Sequence, residues 1–113
     1  MPVIKISTNM PIDSDQSLAL KTQIGALIPI IPGKTEERLM LEFLANQDMY
    51  FQGNDEPTSF CQVFLYKEAS FEAKNELVAK MTEVLENVIK VPSDRQYHCF
   101  SEFENWGRAG CVI

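Results

Sequence analysis

The amino-acid sequence predicts an α/β (α+β) fold in which two β-α-β repeats form one four-stranded mixed sheet with two helices on one face. Two strand–helix–strand series of similar length follow one another, over about residues 1–50 and 56–105. A helical crossover makes the two strands that it joins parallel. A chain of 113 residues fits one ordinary domain. We therefore predict a single domain over residues 1–113.

The first repeat begins with a strand over residues 3–8, where apolar and polar side chains alternate. Asp13 and Gln16 have the spacing of a capping box, which predicts a helix that ends near residue 28, before two prolines. Residues 38–44 predict the second strand. The predicted apolar stripe of the helix comprises Leu18, Ile24, Leu27 and Ile28.

The second repeat begins with a strand over residues 60–66, which has apolar side chains on both faces. Ser70 is a suitable cap for a helix that ends near residue 90. Residues 96–103 predict the fourth strand, followed by a short tail. The helix carries an apolar face of Leu77, Val78, Met81, Val84, Leu85 and Val88. Because helices on one side leave the other sheet face bare, we predict that further copies of the chain cover it.

Composition excludes several classes of function. The chain has 16 acidic and 10 basic residues and a net charge of −6, whereas nucleic-acid and anionic-membrane binding require a basic face. The only histidine, His98, argues against a histidine-rich metal site or a Ser-His-Asp triad; we expect it at the surface or an interface. We expect no metal and no cofactor.

The cysteines and the N-terminus predict a cytoplasmic protein. Cys61, Cys99 and Cys111 form no Cys-x-x-Cys pair, which favours three reduced thiols in a reducing compartment. Lys5 precedes any long apolar run, so no secretory signal is expected. No stretch approaches the ~20 apolar residues of a membrane span, so no membrane association is expected. Secretion without a signal peptide stays open.

Pro2 is a candidate catalytic base. A small residue after the initiator favours removal of Met1, which would leave Pro2 as a secondary amine. Such an amine titrates near ~8 when unperturbed, and burial or a nearby cation would lower its pKa toward neutral pH. In the alternative interpretation Pro2 only begins a strand, and a retained Met1 makes its nitrogen a non-basic amide.

Several short motifs occur in order along the chain: Pro2, Ser7-Thr8-Asn9-Met10-Pro11, Gly33-Lys34, Met49-x-Phe51-x-Gly53-x-x-Glu56-Pro57, Ser93-Asp94-Arg95-x-Tyr97 and Asn105-Trp106-Gly107. The series resembles the macrophage migration inhibitory factor family of the tautomerase superfamily, over essentially the whole chain. The resemblance implies a homotrimer whose sheets line a central barrel, with active sites between neighbouring subunits. It also implies keto–enol tautomerisation of a small carboxylate-bearing substrate such as phenylpyruvate.

The resemblance assigns roles to three residues. Pro2 matches the catalytic base of the family, and Lys34 matches the lysine that holds the substrate carboxylate and lowers the pKa of the proline. Tyr97 matches a pocket tyrosine that the adjacent subunit supplies. The alternatives are a solvated loop lysine for Lys34 and a strand core tyrosine for Tyr97.

The chain departs from the family pattern around the expected pocket. Tyr66 and Lys67 replace a small apolar residue and a glycine, which would narrow or polarise the pocket and remove the backbone freedom of glycine. Arg108 replaces an aromatic residue, and with Lys34 it would clamp a diacid or further lower the pKa of Pro2. The alternative is a solvated arginine in the tail. Cys99 replaces a common asparagine.

Two further departures bear on function. Ile113 replaces an aromatic closing residue, and Thr58 replaces the first cysteine of a Cys-x-x-Cys pair, so thiol–disulfide chemistry is not expected. The sequence leaves two alternatives to a tautomerase open. One is a non-catalytic, cytokine-like binding or signalling trimer, which the altered pocket would suit. The other is a divergent superfamily member with different proline-base chemistry, such as hydration of an unsaturated acid.

Overall fold

The computed structural model describes residues 1–113 as one four-stranded sheet with two helices. The main elements are β1 (Pro2–Thr8), α1 (Ser14–Leu27), β2 (Met40–Leu44), β3 (Ser59–Tyr66), α2 (Phe71–Ile89) and β4 (Gln96–Phe103). The strand order is β2-β1-β3-β4. The predicted fold class is confirmed, with the second strand beginning at Met40 because residues 36–38 form a 3₁₀ helix.

The register of the sheet places two chain segments beside the start of β1. β1 is parallel to β2, with Val3 opposite Met40, and β3 is parallel to β4. β1 and β3 are antiparallel, with Pro2 opposite Leu65, so the sheet is mixed. The residues just before β2 and just after β3 therefore flank Pro2.

Helix α1 begins at the predicted capping box. The Asp13 carboxylate accepts a hydrogen bond from the Gln16 backbone N–H at 2.8 Å, and the Gln16 side chain accepts one from the Asp13 N–H at 2.9 Å. Leu20 and Ile24 are fully buried, but Leu18 is 63% exposed. The prediction of Leu18 on the apolar stripe was wrong, because residues two apart on a helix point about 200° apart.

Helix α2 carries most of the helical side of the core. Ser70 caps it by accepting a hydrogen bond from the Ala73 N–H at 3.1 Å, and Lys90 ends it in the left-handed conformation. The predicted apolar face is confirmed, with Val78 and Val88 only partly buried. Its buried residues are Ala73, Leu77, Met81, Val84, Leu85 and Ile89. No helix combines the length and the apolar character that crossing a membrane requires.

One face of the sheet packs on the helices and the other is uncovered. On the helix side Ile4, Ile6, Cys61, Val63 and Leu65 are buried. On the other side Phe60, Phe64 and Tyr66 are only partly buried, while Met40, Tyr97 and Phe103 are exposed. The apolar character of both faces of β3 is thus confirmed, and the oligomer that would cover the bare face stays a prediction.

His98 was expected at the surface or an interface, but it is partly buried and faces α2. Its Nε2 atom is 3.0 Å from Oε1 of Gln96 and 3.4 Å from Oγ1 of Thr82, and its Nδ1 atom is buried without a hydrogen-bond partner. Burial lowers the pKa of His98 to about 4. The reason is strand alternation: Gln96 and His98 point to the helices, whereas Tyr97 points away.

The C-terminal tail folds into a hairpin. Strands β5 (Gly107–Arg108) and β6 (Cys111–Val112) are antiparallel. The two residues between them, Ala109 and Gly110, both have positive φ angles, of 51° and 83°, as a tight two-residue turn requires. Two-residue strands carry no readable alternation, so the sequence did not predict them. The hairpin fixes the backbone of Arg108.

Candidate active site

The N-terminus of the chain lies at the start of β1, one of the two central strands of the sheet. Pro2 is buried at the first position of β1 and lies opposite Leu65. The Met1 carbonyl accepts a hydrogen bond from the Tyr66 backbone N–H at 3.3 Å. Because β1 is flanked by β2 and β3, the backbone around Pro2 is held on both sides.

The surroundings of the Met1 amine lower its pKa. Burial, then the charge and the hydrogen bond of Lys34, and then the charge of Arg38 lower the pKa of the Met1 amine to about 6, from an ordinary 8.0. An amine with such a pKa is largely uncharged at neutral pH. The site therefore provides the electrostatic setting that a nitrogen base needs, at the residue directly before Pro2.

Lys34 is held against the end of β3. It follows Gly33, whose positive φ of 81° makes the turn. The half-buried Lys34 donates a hydrogen bond from Nζ to the Tyr66 carbonyl at 2.8 Å, and Nζ lies 5.9 Å from the centre of the Tyr66 ring. Lys34 and Tyr66 line a cavity of about 300 Å³. The structure thus brings Lys34, Tyr66 and the N-terminus together.

Lys67 keeps the backbone shape expected of a glycine. Its φ is +67°, and its N–H donates a hydrogen bond to the Phe103 carbonyl at 2.7 Å. The expectation that replacing glycine loses this conformation was wrong, because the hydrogen bond and the packing of β3 beside β4 hold it. The Lys67 ammonium lies 5.5 Å from the Tyr66 ring centre, so the ammonium groups of Lys34 and Lys67 both lie near this ring.

Arg108 lies at a second cavity, which contains the N-terminus. This cavity, of about 320 Å³, is lined by Met1, Pro2, Arg38, Trp106, Arg108 and neighbouring residues, including Glu37. Lys34 does not line it, so Lys34 and Arg108 border two different cavities. Arg38 lines the same cavity as Arg108.

Sequence reasoning missed Arg38. The usable signal was topological: because β1 and β2 are parallel, the residues before β2 must lie beside the start of β1. Arg38 precedes the first β2 residue, Met40, by two positions, which places it next to the N-terminus. Nothing in its own sequence motif marked it.

Tyr97 lies at the other end of the sheet. It is opposite Phe60, whereas Pro2 is opposite Leu65, five residues further along β3, a separation of about 17 Å along the strand. Tyr97 is 63% exposed, and its ring meets the Phe51 ring edge-on at 4.9 Å. One chain therefore does not bring Tyr97 to Pro2.

Arg95, within one of the family-like motifs, organises the loop that carries another. Its buried guanidinium donates hydrogen bonds to the carbonyls of Pro57 at 2.8 Å, Glu56 at 3.0 Å and Phe51 at 3.2 Å. With a fourth carbonyl, that of Asn54 at 3.5 Å, these partners satisfy a buried cation well. We assign Arg95 a folding role rather than a chemical one.

Other groups of residues do not add to this site. No three His, Cys, Asp or Glu side chains are placed to hold a metal ion. The cysteines are free, and burial raises the pKa of the Cys61 thiol to about 12. A larger cavity, of about 540 Å³, is lined by Lys67, Glu68, Glu102, Phe103, Glu104 and Asn105 and does not include the N-terminus.

Sequence comparison identifies related proteins over the whole chain. The family model described as macrophage migration inhibitory factor (MIF) matches residues 1–113. The chain is 29% identical over 97 residues to a macrophage migration inhibitory factor homolog of Wuchereria bancrofti, covering 86% of this chain and 84% of that protein. It is 27% identical over 104 residues to the homolog of Brugia malayi, covering 92% and 90%.

Structural comparison gives the same fold. The crystal structure of Leishmania major MIF2 superposes with a TM-score of 0.93 at 18% identity, covering 100% of this chain and 97% of that one. The macrophage migration inhibitory factor homologue from Prochlorococcus marinus superposes with a TM-score of 0.83 at 25% identity, covering 97% of each chain. At such low identity the first of these likenesses establishes the fold alone.

Proposed function

The chain belongs to the macrophage migration inhibitory factor family, and on that basis we propose that it is a keto–enol tautomerase of α-keto acids such as phenylpyruvate. The observation that carries the proposal is the terminal nitrogen beside Lys34 and Arg38, where the pKa of the Met1 amine falls to about 6. A base poised near neutral pH is what proton transfer at carbon requires.

The first step of the proposal is the exposure of Pro2. Removal of Met1 converts the Pro2 nitrogen from an amide to a secondary amine at the buried start of β1. Lys34 and Arg38, which act on the Met1 amine one residue away, then act on this nitrogen. Their positive charges and the burial lower the pKa of the Pro2 amine from its ordinary value near ~8.

The second step is the binding of the substrate carboxylate where Met1 had been. The Tyr66 N–H donates to the Met1 carbonyl, and Lys34 Nζ neighbours the Met1 amine. Without Met1 both donors face the vacated space. A carboxylate accepts well from an ammonium and a backbone N–H together. Lys34 and Tyr66 thereby orient the adjoining carbonyl group toward Pro2.

The third step is proton transfer. In ketonisation the Pro2 nitrogen takes the proton of the enol hydroxyl and delivers it to the far carbon of the C=C bond. The O–H bond and the C=C double bond are thereby replaced by a C–H bond and a C=O double bond, and no proton is consumed overall. In the reverse direction Pro2 takes the proton from the carbon. Lys34 stabilises the negative charge that develops on oxygen. The proposed reaction needs no cofactor and no metal.

We further propose that the working unit is a homotrimer. The outer face of the sheet carries exposed apolar side chains, including Met40 and Phe103, which an oligomer would bury. Tyr97 lies about 17 Å from Pro2 along the strands of its own chain, so it completes a pocket only if a neighbouring subunit contributes it. An oligomer would both bury the apolar face and bring the Tyr97 of a neighbouring subunit to Pro2.

The test is the ketonisation rate of phenylenolpyruvate with Met1-free protein. We expect Pro2→Gly to lower kcat/KM about 10-fold or more, because glycine places its nitrogen less rigidly. Lys34→Ala should raise KM and lower kcat. Pro11→Gly and Lys80→Ala, at exposed positions away from the site, are matched controls with unchanged rates. The proposal would be contradicted by equal rates for Pro2→Gly and the wild type, or by a wild-type rate no higher than that in buffer alone.

A second candidate function is favoured by the fit of Met1 itself. Its carbonyl satisfies the Tyr66 N–H, and its amine is near enough to Lys34 to feel its charge, so a chain that keeps Met1 has a closed site and an amide at Pro2. Such a chain would serve as a non-catalytic binding or signalling trimer. The intact mass of native material decides between the two, since retained Met1 supports the binding protein and its removal supports the enzyme.

We also propose a cytoplasmic site of action. The three cysteines are free, as expected in a reducing compartment. Cell fractionation tests this, and recovery from the medium of intact cells would contradict it.

A further inference from the structure

We infer that the substrate carries a second anionic group and that Arg38 and Arg108 bind it, an inference that rests on the proposed function. Both arginines line the cavity of about 320 Å³ that also contains Met1 and Pro2. They belong to different elements, since Arg38 ends the 3₁₀ helix before β2 and Arg108 lies on β5. Two guanidinium groups therefore border the cavity of the reactive nitrogen.

Neither guanidinium is engaged elsewhere. The ion pairs of the chain are Lys21–Glu36 and Lys74–Glu102, and no side-chain hydrogen bond involves Arg38 or Arg108. Glu37 is the one acidic side chain that lines the cavity, so positive charge remains in excess there. Unpaired guanidinium groups bind carboxylates through two parallel hydrogen bonds.

The backbone of Arg108 is fixed rather than loose. Gly107 pairs with Val112 in the hairpin, and the Ile113 N–H donates a hydrogen bond to the Trp106 carbonyl at 2.8 Å. Arg38 is fixed by the 3₁₀ turn, in which its N–H donates to the Thr35 carbonyl at 3.2 Å. Because both backbones are already ordered, binding an anion restricts the two side chains without also having to order their backbones.

The two cationic regions suit the two ends of a diacid. Lys34 and Tyr66 line one cavity, and Arg38 and Arg108 line another that includes Pro2. The carboxylate beside the reacting carbonyl binds at Lys34, and a distal carboxylate binds at the arginines. Because the whole chain has a net charge of −6, the excess of positive charge at this cavity is a local property and not a property of the whole chain.

The test compares phenylenolpyruvate with its para-carboxy analogue, which differ by one carboxylate. In Met1-free wild type we expect kcat/KM to be about 10-fold or more higher for the diacid, the gain typical of one charged hydrogen-bonded pair. Arg108→Ala and Arg38→Ala should each reduce this ratio severalfold, and Arg108→Lys should reduce it less. Lys80→Ala, which removes an exposed cation on α2, should keep the ratio.

The outcomes separate the inference from the function on which it rests. Turnover of the monoacid with no preference for the diacid overturns the inference and leaves the tautomerase intact. A preference that survives both arginine variants also overturns it. No turnover of either compound overturns the proposed function, and calorimetric titration with cinnamate and 4-carboxycinnamate then decides the inference: equal affinities refute it, and tighter diacid binding supports it. Both wild-type comparisons hold even if a variant fails to fold.

Discussion

The chemistry of the site depends first on a few individual charges. An ordinary α-amino group with a pKa near ~8 is about nine-tenths protonated at neutral pH. The burial of the Met1 amine and the proximity of Lys34 and Arg38 reverse that proportion, because they lower its pKa to about 6. In the proposed mechanism the cations would do two things: hold a substrate anion and keep the neighbouring nitrogen unprotonated.

Lys67 shows that a residue can keep a backbone shape that its type disfavours. At a φ of +67° a side chain with a Cβ atom costs about 1 kcal/mol relative to glycine. We predict that Lys67→Gly raises the free energy of unfolding by about 1 kcal/mol, measured by urea denaturation. Lys80→Gly, in the middle of α2, should lower it by about 1 kcal/mol. A loss of stability in Lys67→Gly would contradict this account.

His98 makes folding depend on pH. Burial depresses its pKa to about 4 in the folded chain, against 6.5 for a free side chain. Its contribution to stability is therefore present above pH 6.5 and is lost as the pH falls toward 4. We predict that the wild type loses about 3 kcal/mol more than His98→Asn between neutral pH and about pH 4. Parallel stability curves for the two proteins in urea would show that His98 is not responsible.

At the scale of secondary structure, local signals predicted where most elements begin. The Asp13–Gln16 capping box and the Ser70 cap place the helices, because they concern hydrogen bonds within one turn. The alternation in β1 and the apolar run in β3 place these strands. The β5–β6 hairpin and the start of β2 were missed, since two-residue strands and a 3₁₀ turn have no period to detect.

Burial within the helices can be tested with a pair of leucines. Leu77 on α2 is fully buried, whereas Leu18 on α1 is 63% exposed. We predict that Leu77→Ala lowers the free energy of unfolding by about 2–5 kcal/mol, because it leaves a cavity in the core. Leu18→Ala should change it by less than about 0.5 kcal/mol. Chemical denaturation measures both, and equal costs would mean that the helix faces are wrongly assigned.

The site was only partly predictable, because its members come together through the sheet. Family resemblance pointed to Pro2 and Lys34, and the structure brings Lys34 to the N-terminus. Arg38 reaches the N-terminus only through the parallel pairing of β1 with β2. Arg108 lines a different cavity from Lys34 because it lies on the β5–β6 hairpin, which no local sequence pattern predicts.

For the molecule as a whole, the proposed assembly of several chains would account for both the open sheet face and the distance of Tyr97 from Pro2. A mass in solution about three times the chain mass of 12.9 kDa is expected, and a monomer would contradict it. The assembly would also unite residues from opposite ends of two sheets.

Mixing variants tests that shared site. We predict that Pro2→Gly and Tyr97→Ala chains are each poorly active as homotrimers, since every site lacks one partner. Refolded together at equal amounts, they should regain activity in about a quarter of the sites, on random assembly of the trimer. If native mass spectrometry shows mixed trimers without any recovered activity, Tyr97 is not contributed by a neighbour.

The central claim is that the free nitrogen of Pro2 is the base. The most direct measurement compares phenylenolpyruvate ketonisation by Met1-free protein with that by Met1-retaining protein, made in cells whose methionine aminopeptidase is inhibited and verified by intact mass. In the Met1-retaining protein this nitrogen is an amide, and Met1 also fills the space proposed for the substrate carboxylate. We expect kcat/KM to be about 100-fold or more higher without Met1, and equal rates for the two proteins would show that this nitrogen is not the base.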